Sequence, residues 1–172
     1  TAVAHETDYA ATNTITTVTT QEYYGQIYQV IQPVAPGDPV YLSGSVKSEL
    51  SSGSSARTGL LIQFLDSGNN IINSIKTDMG GSNDWIDLYV NGHAPSGTAK
   101  IRAGAFIYAA QSDTSAIGGT AYVDDLFVDK IEAPGSSVIN PGFESLLSGW
   151  TTGSGTWPFD SEDTIKYSGN YS

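Results

Sequence analysis

The sequence predicts an all-β protein, a β-sandwich of the jelly-roll kind, and three observations carry that expectation. Short apolar segments recur along the chain, most of them bounded by Gly, Pro, Asn, Asp or Ser. The polar residues are mostly Ser, Thr, Gly and Asn, interleaved with β-branched and aromatic residues that suit a half-buried pleated surface. Around eight such segments can be traced with no convincing helix, a pattern that fits two packed sheets.

The segments follow in order. Residues Tyr24 to Ile31 and Val40 to Lys47 read as strands separated by QPVAPGDP, whose prolines cannot continue a ladder. Strand side chains alternate, so Val40, Leu42, Gly44 and Val46 should face the core, and Tyr41, Ser43, Ser45 and Lys47 the other side. GLLIQFLD, the turn SGNN, IINSIKTD, the turn MGGSND and WIDLYV then give three more strands. AKIRAGAFIYAA sets Ile101, Ala103, Ala105 and Ile107 against Arg102, Gly104, Phe106 and Tyr108, and AYVDDLFVDKI is a further strand.

After Ile131 the composition changes. EAPGSS, residues 132–137, reads as a linker, and 138–172 looks like the start of a domain rather than its end. A segment of about 35 residues cannot bury a core of its own, so a single domain over 1–172 is expected, with 1–131 as the bulk of the sandwich.

Composition narrows the function. At 172 residues with 39% apolar and 15% charged side chains, the chain can build one core. A formal net charge of -11 repels phosphate backbones and anionic lipid, which argues against nucleic-acid and membrane partners. The absence of cysteine rules out disulfides and thiolate metal sites. No apolar stretch approaches the roughly 20 residues of a membrane-spanning helix. The first residues, TAVAHETD, lack the basic and apolar regions of a signal peptide, so a start at Thr1 suggests an excised or processed segment.

NPGFESLLSGW resembles the opening of the carbohydrate-binding modules grouped with families 4, 9, 16 and 22, and YSGNYS resembles the strand that follows there. YQVI, APGD, YLSGSVK and AYVDDLFV match later parts of the same pattern, yet here they come first. Joining Ser172 to Thr1 restores the family order. The resemblance therefore implies a jelly roll that is circularly permuted, or strand-swapped with its neighbour, because 138–172 holds the conventional first strand. That segment can fold back within its chain or support head-to-tail self-association.

The resemblance also implies a structural calcium near the meeting of first and last strands, at Glu144, the carbonyl of Gly142, and Asp124. An inward-turned Asp124 needs a cation or donors to offset desolvation. For a polysaccharide or oligosaccharide, aromatic faces and planar polar groups are required, and Trp150, Tyr108, Phe106, Arg102, Gln63 and Tyr41 are the candidates. Trp150 matches the family's Gly-Trp, while Arg102, Phe106 and Tyr108 share one strand phase opposite the core set. Gln63 lies out of phase with Leu60, Ile62 and Phe64, so its amide is expected on the same open face.

Catalysis has little to draw on. His5 and His93 stand outside any nucleophile or metal motif, and adjacent Asp124 and Asp125 point to opposite faces of a strand, which does not suit a glycosidase pair. The expected function is a non-catalytic, calcium-stabilised glycan-binding module of a secreted or cell-surface protein. The alternative is a structural repeat of an adhesin, sheath or filament that uses the same sandwich without sugar.

Overall fold

A computed structural model of the chain describes residues 10–130, 151–153 and 160–161. It contains ten strands: β1 Ala11–Thr14, β2 Tyr23–Ile31, β3 Pro39–Glu49, β4 Arg57–Leu65, β5 Ile71–Met79, β6 Ser82–His93, β7 Lys100–Ala109, β8 Thr120–Lys130, β9 Thr151–Gly153 and β10 Asp160–Ser161. Their order is β10-β1-β8-β3-β6 in one sheet and β5-β4-β7-β2-β9 in the other, with antiparallel pairing throughout. The fold is an all-β sandwich of the jelly-roll class. Among the described residues the one helical element is a single 3-10 turn, Thr114–Ala116, and no helix is long and apolar enough to cross a membrane.

Alternation builds the core as the sequence predicts. Val40, Leu42 and Val46 of β3 are buried against Ile101, Ala103, Ala105 and Ile107 of β7 in one cluster that also takes in Ile27, Leu60, Ile62 and Leu126. Gly44 keeps the same inward phase, because Leu126 Cδ2 fills the place its Cβ would take.

Two features depart from simple alternation. The pairing of β3 with β8 shifts register between Ser43 and Ser45, and Asp125 takes up the extra residue with φ 50, a left-handed value that Asp tolerates. This bulge turns both Val123 and Asp124 inward, and each is fully buried. The second is β1, whose ATNT carries no apolar alternation and is a strand because β8 and β10 pair with it on either side. Its Asn13 is buried and accepts a hydrogen bond of 2.6 Å from the Tyr23 hydroxyl. Burial raises the Tyr23 pKa, and the bond to Asn13 opposes that rise.

One polar clasp joins two loops at the end of the sandwich. The Asp113 carboxylate accepts from Ser55 N and Ser55 Oγ, both at 2.6 Å, and from the backbone and hydroxyl of Ser115. Ser55 Oγ in turn accepts from Ala110 N at 2.9 Å. The Ser115 hydroxyl first, then the two Ser55 donors, hold the Asp113 carboxyl well below the usual carboxylate range. A depressed folded pKa stabilises above the unfolded value near about 4 and is lost as pH falls through the folded one. Asp113→Ala should therefore melt earlier than the parent at neutral pH, and the gap should close on acidification below roughly pH 4. Paired thermal melts across pH check this; a gap that does not change with pH contradicts it.

Candidate functional site

The outer face of the β5-β4-β7-β2-β9 sheet gathers most of the polar and aromatic candidates. Pairing registers lay it out in rows. Arg57, Tyr108 and Tyr24 stand abreast; the next row is Asp78, Gly59, Phe106 and Gln26. Lys76, Leu61, Gly104 and Tyr28 follow, then Ser74, Gln63, Arg102 and Val30. Strand β9 extends two of the rows, with Gly153 opposite Gln26 and Thr151 opposite Tyr28.

Glycine shapes the middle of this face. A Cβ at Gly104 would collide with the Ile27 carbonyl oxygen and stand 2.6 Å from Tyr28 Cα, and one at Gly59 would collide with the Thr77 carbonyl oxygen. Neighbouring backbones thus approach more closely than any side chain allows, and the centre of the face stays free of side chains at two positions in adjoining rows.

The aromatic side chains form one cluster. Tyr24 stacks on Phe106 with centroids 6.0 Å apart and planes at 22°, and meets Tyr108 edge-on at 6.4 Å and 69°. The Lys76 ammonium sits 5.3 Å from the Phe106 ring centre. Gln26 Nε2 donates to the Tyr24 hydroxyl at 3.0 Å. Burial raises the Tyr24 pKa against the opposing effect of that amide, so the phenol stays protonated and able to donate at neutral pH.

Both arginines of the chain lie on this face. The Arg102 guanidinium stacks 4.6 Å above the Tyr28 ring centre, and its Nη1 donates to Gln63 Oε1 at 3.2 Å. Its Nε is buried with no hydrogen-bond partner among the described residues. An unmet buried donor costs on the order of 1–3 kcal/mol. Beyond Arg57 and Asp78 a polar cavity of about 570 Å³ continues to the Ser51–Ser54 loop.

The structure sorts the sequence-predicted residues. Arg102, Gln63 and Tyr108 come together on one face. Gln63 is only 8% exposed and accepts a hydrogen bond from Arg102, so it is a positioned amide rather than a solvated one. Phe106 is on the expected face but is 1% exposed, roofed by Tyr24 and Lys76; it forms the floor of the face and offers no free ring for stacking. Tyr41 belongs to β3, hence to the outer face of the other sheet, apart from Arg102, Gln63, Phe106 and Tyr108. Trp150, Glu144 and Gly142 lie outside the described residues.

Tyr24, Gln26, Tyr28 and Lys76 join the face although they are not among the sugar-binding candidates read from the sequence; Tyr23, Tyr24 and Tyr28 are expected there only as surface strand residues. The signal was present in β2, where Tyr24, Gln26 and Tyr28 share a phase opposite Tyr23, Gly25 and Ile27. Tyr23, by contrast, is 2% exposed and belongs to the core.

No family model and no curated protein matches the chain. Among solved structures, the enzymatically active domain of tailspike protein 4 of bacteriophage CBA120 is similar, with TM-score 0.53 and 20% identity over 71% of this chain and 15% of that one. This chain thus spans about 15% of the tailspike chain, and the likeness establishes the fold alone. Carbohydrate-binding modules also recur. TmCBM61, solved with β-1,4-galactotriose, gives TM-score 0.45 and 14% identity over 73% of each chain. A CBM4 module gives 0.42 and 15% over 71% of this chain and 74% of that one.

Proposed function

We propose that the chain is a non-catalytic polysaccharide-binding module of an extracellular protein, and that the outer face of β5-β4-β7-β2-β9 takes the glycan. The carrying observation is the Tyr24 and Tyr108 rings, above the Phe106 floor, beside the Tyr28-stacked Arg102 and the Gln63 amide that it holds. Sugar recognition needs this pairing of apolar ring faces with planar donors and acceptors. Calorimetric titration with soluble glucans, mannans and xylans tests the reading. Saturable heat with dissociation constants on the order of micromolar to millimolar is expected; no heat with any of them favours the scaffold function of an adhesin, sheath or filament.

Calcium belongs to the same proposal. Asp124 is fully buried beside the bulge and its carboxylate accepts from the Asp125 backbone N–H at 2.8 Å, and a buried carboxylate is a suitable oxygen ligand for a hard cation. Glu144 and the Gly142 carbonyl would complete the set. The described residues alone hold no group of three His, Asp or Glu suited to a metal. An ion bound only by the native state adds roughly 2.7 kcal/mol at a hundredfold excess over its dissociation constant. Calcium should raise the melting temperature of the parent and not of Asp124→Asn, whereas identical melts with calcium and with chelator would remove the metal from the account.

The proposed unit is the whole of 1–172 in permuted order, closed within one chain. The pairing of β9 with β2 and of β10 with β1 is compatible with closure, since both short strands can add to sheets of their own chain.

A further inference from the structure

We propose a second glycan platform on the opposite side of the sandwich, built on Tyr41, Tyr89 and Phe127, which takes a neutral polysaccharide chain. The argument rests on residues separate from the first face.

Three aromatic rings cluster on the outer face of β8-β3-β6. Tyr89 is 64% exposed and Phe127 44%, values well above what strand packing requires of such large rings. Registers place them in two rows. Phe127, Ser43 and Tyr89 stand abreast, and Asp129, Tyr41 and Asn91 form the adjoining row. Each row alternates ring with small or planar polar group. Tyr41 thus has a carboxylate on one side and an amide on the other, the groups that would hold the hydroxyls of a sugar lying on its ring. Phe127 and Tyr89 are two strands apart, about 10 Å at the backbone, which leaves room for adjoining sugar units.

Ring orientation selects the ligand. Tyr41 and Tyr89 stack with centroids 6.5 Å apart and planes 18° apart, and Tyr89 remains 64% exposed in this arrangement. A cage for a quaternary ammonium needs ring faces turned toward one point, which near-parallel rings do not provide. Charge narrows it further. A depression of about 480 Å³ beside these rings is lined by Pro39, Tyr41, Asn91, His93, Phe127 and Asp129 among others, with no Lys or Arg in its wall. Asp87 adds a second carboxylate beyond Ser45. Acidic glycans are repelled there and neutral ones are not.

With both faces occupied, one module bridges two polysaccharide chains. Native affinity electrophoresis through gels containing soluble glucan, mannan, xylan or galactan separates the faces. The full chain carrying Tyr28→Ala and Arg102→Ala should remain retarded by at least one neutral polysaccharide. Adding Tyr89→Ala and Phe127→Ala should cut that residual retardation at least tenfold, and both positions are exposed enough to leave the melting curve unchanged. If the parent is retarded but the Tyr28→Ala, Arg102→Ala chain is not, the second platform is refuted while the first face stands. Retardation of the parent that disappears with Tyr89→Ala and Phe127→Ala alone refutes the first face and keeps this one. A parent that no polysaccharide retards overturns both.

Discussion

Arg102→Ala is expected to lower glycan affinity about tenfold to a hundredfold, with the fold intact. Hydrogen bonds to a charged group are worth about 1.5–3 kcal/mol, and roughly 1.4 kcal/mol is a factor of ten in affinity. The side chain also stacks on Tyr28 and fixes the Gln63 amide, so its loss frees two further groups that face the ligand. Arg102→Lys keeps the charge but loses the planar fork, and should recover only part of the affinity. Calorimetry on the three proteins measures this. Equal affinity for Arg102→Ala and the parent contradicts the role given to Arg102.

Gly104→Ala is expected to be the more damaging change, and to act on stability. The added methyl meets backbone, the Ile27 carbonyl and Tyr28 Cα, and neither can yield without shifting β2 from β7. Overpacking of this kind costs about 3 kcal/mol, which for a domain of this length lowers the melting temperature by roughly 6–12 °C. Ala105→Gly, next along the strand, removes a buried methyl instead and serves as the comparison. Melting curves for Gly104→Ala that overlay the parent would show that the two strands are not held as closely as described.

Period-two alternation makes much of the fold legible in the sequence alone. Residues 101–107 divide into an inward set and an outward set as the sequence predicts, and Val40, Leu42 and Val46 face the core. Alternation fails where another force decides. Strand β1 exists through its pairing with β8 and β10, and ATNT carries no pattern that announces it. The bulge at Asp125 buries two consecutive residues, Val123 and Asp124, which a strict period of two forbids.

The site was less legible, because phase tells which side of a strand a residue faces and not which sheet the strand joins. Tyr41 and Tyr108 both face outward, yet β3 and β7 belong to different sheets, so the two residues stand on opposite surfaces. Phase is equally silent on cover. Phe106 points outward and is nonetheless buried, since Tyr24 reaches across from β2 to stack on it. The partnership of Arg102 with Tyr28 and Gln63 joins residues from three strands, and only the registers of β2, β4 and β7 bring them together.

The central claim is that the β5-β4-β7-β2-β9 face binds glycan, and an amide chemical-shift map of the labelled chain titrated with soluble glucan, mannan or xylan tests it most directly. Binding to that face predicts saturable shifts at Tyr24, Gln26, Tyr28, Gln63 and Arg102 that share one dissociation constant. Those five amides staying still at saturating concentrations of every polysaccharide would contradict it.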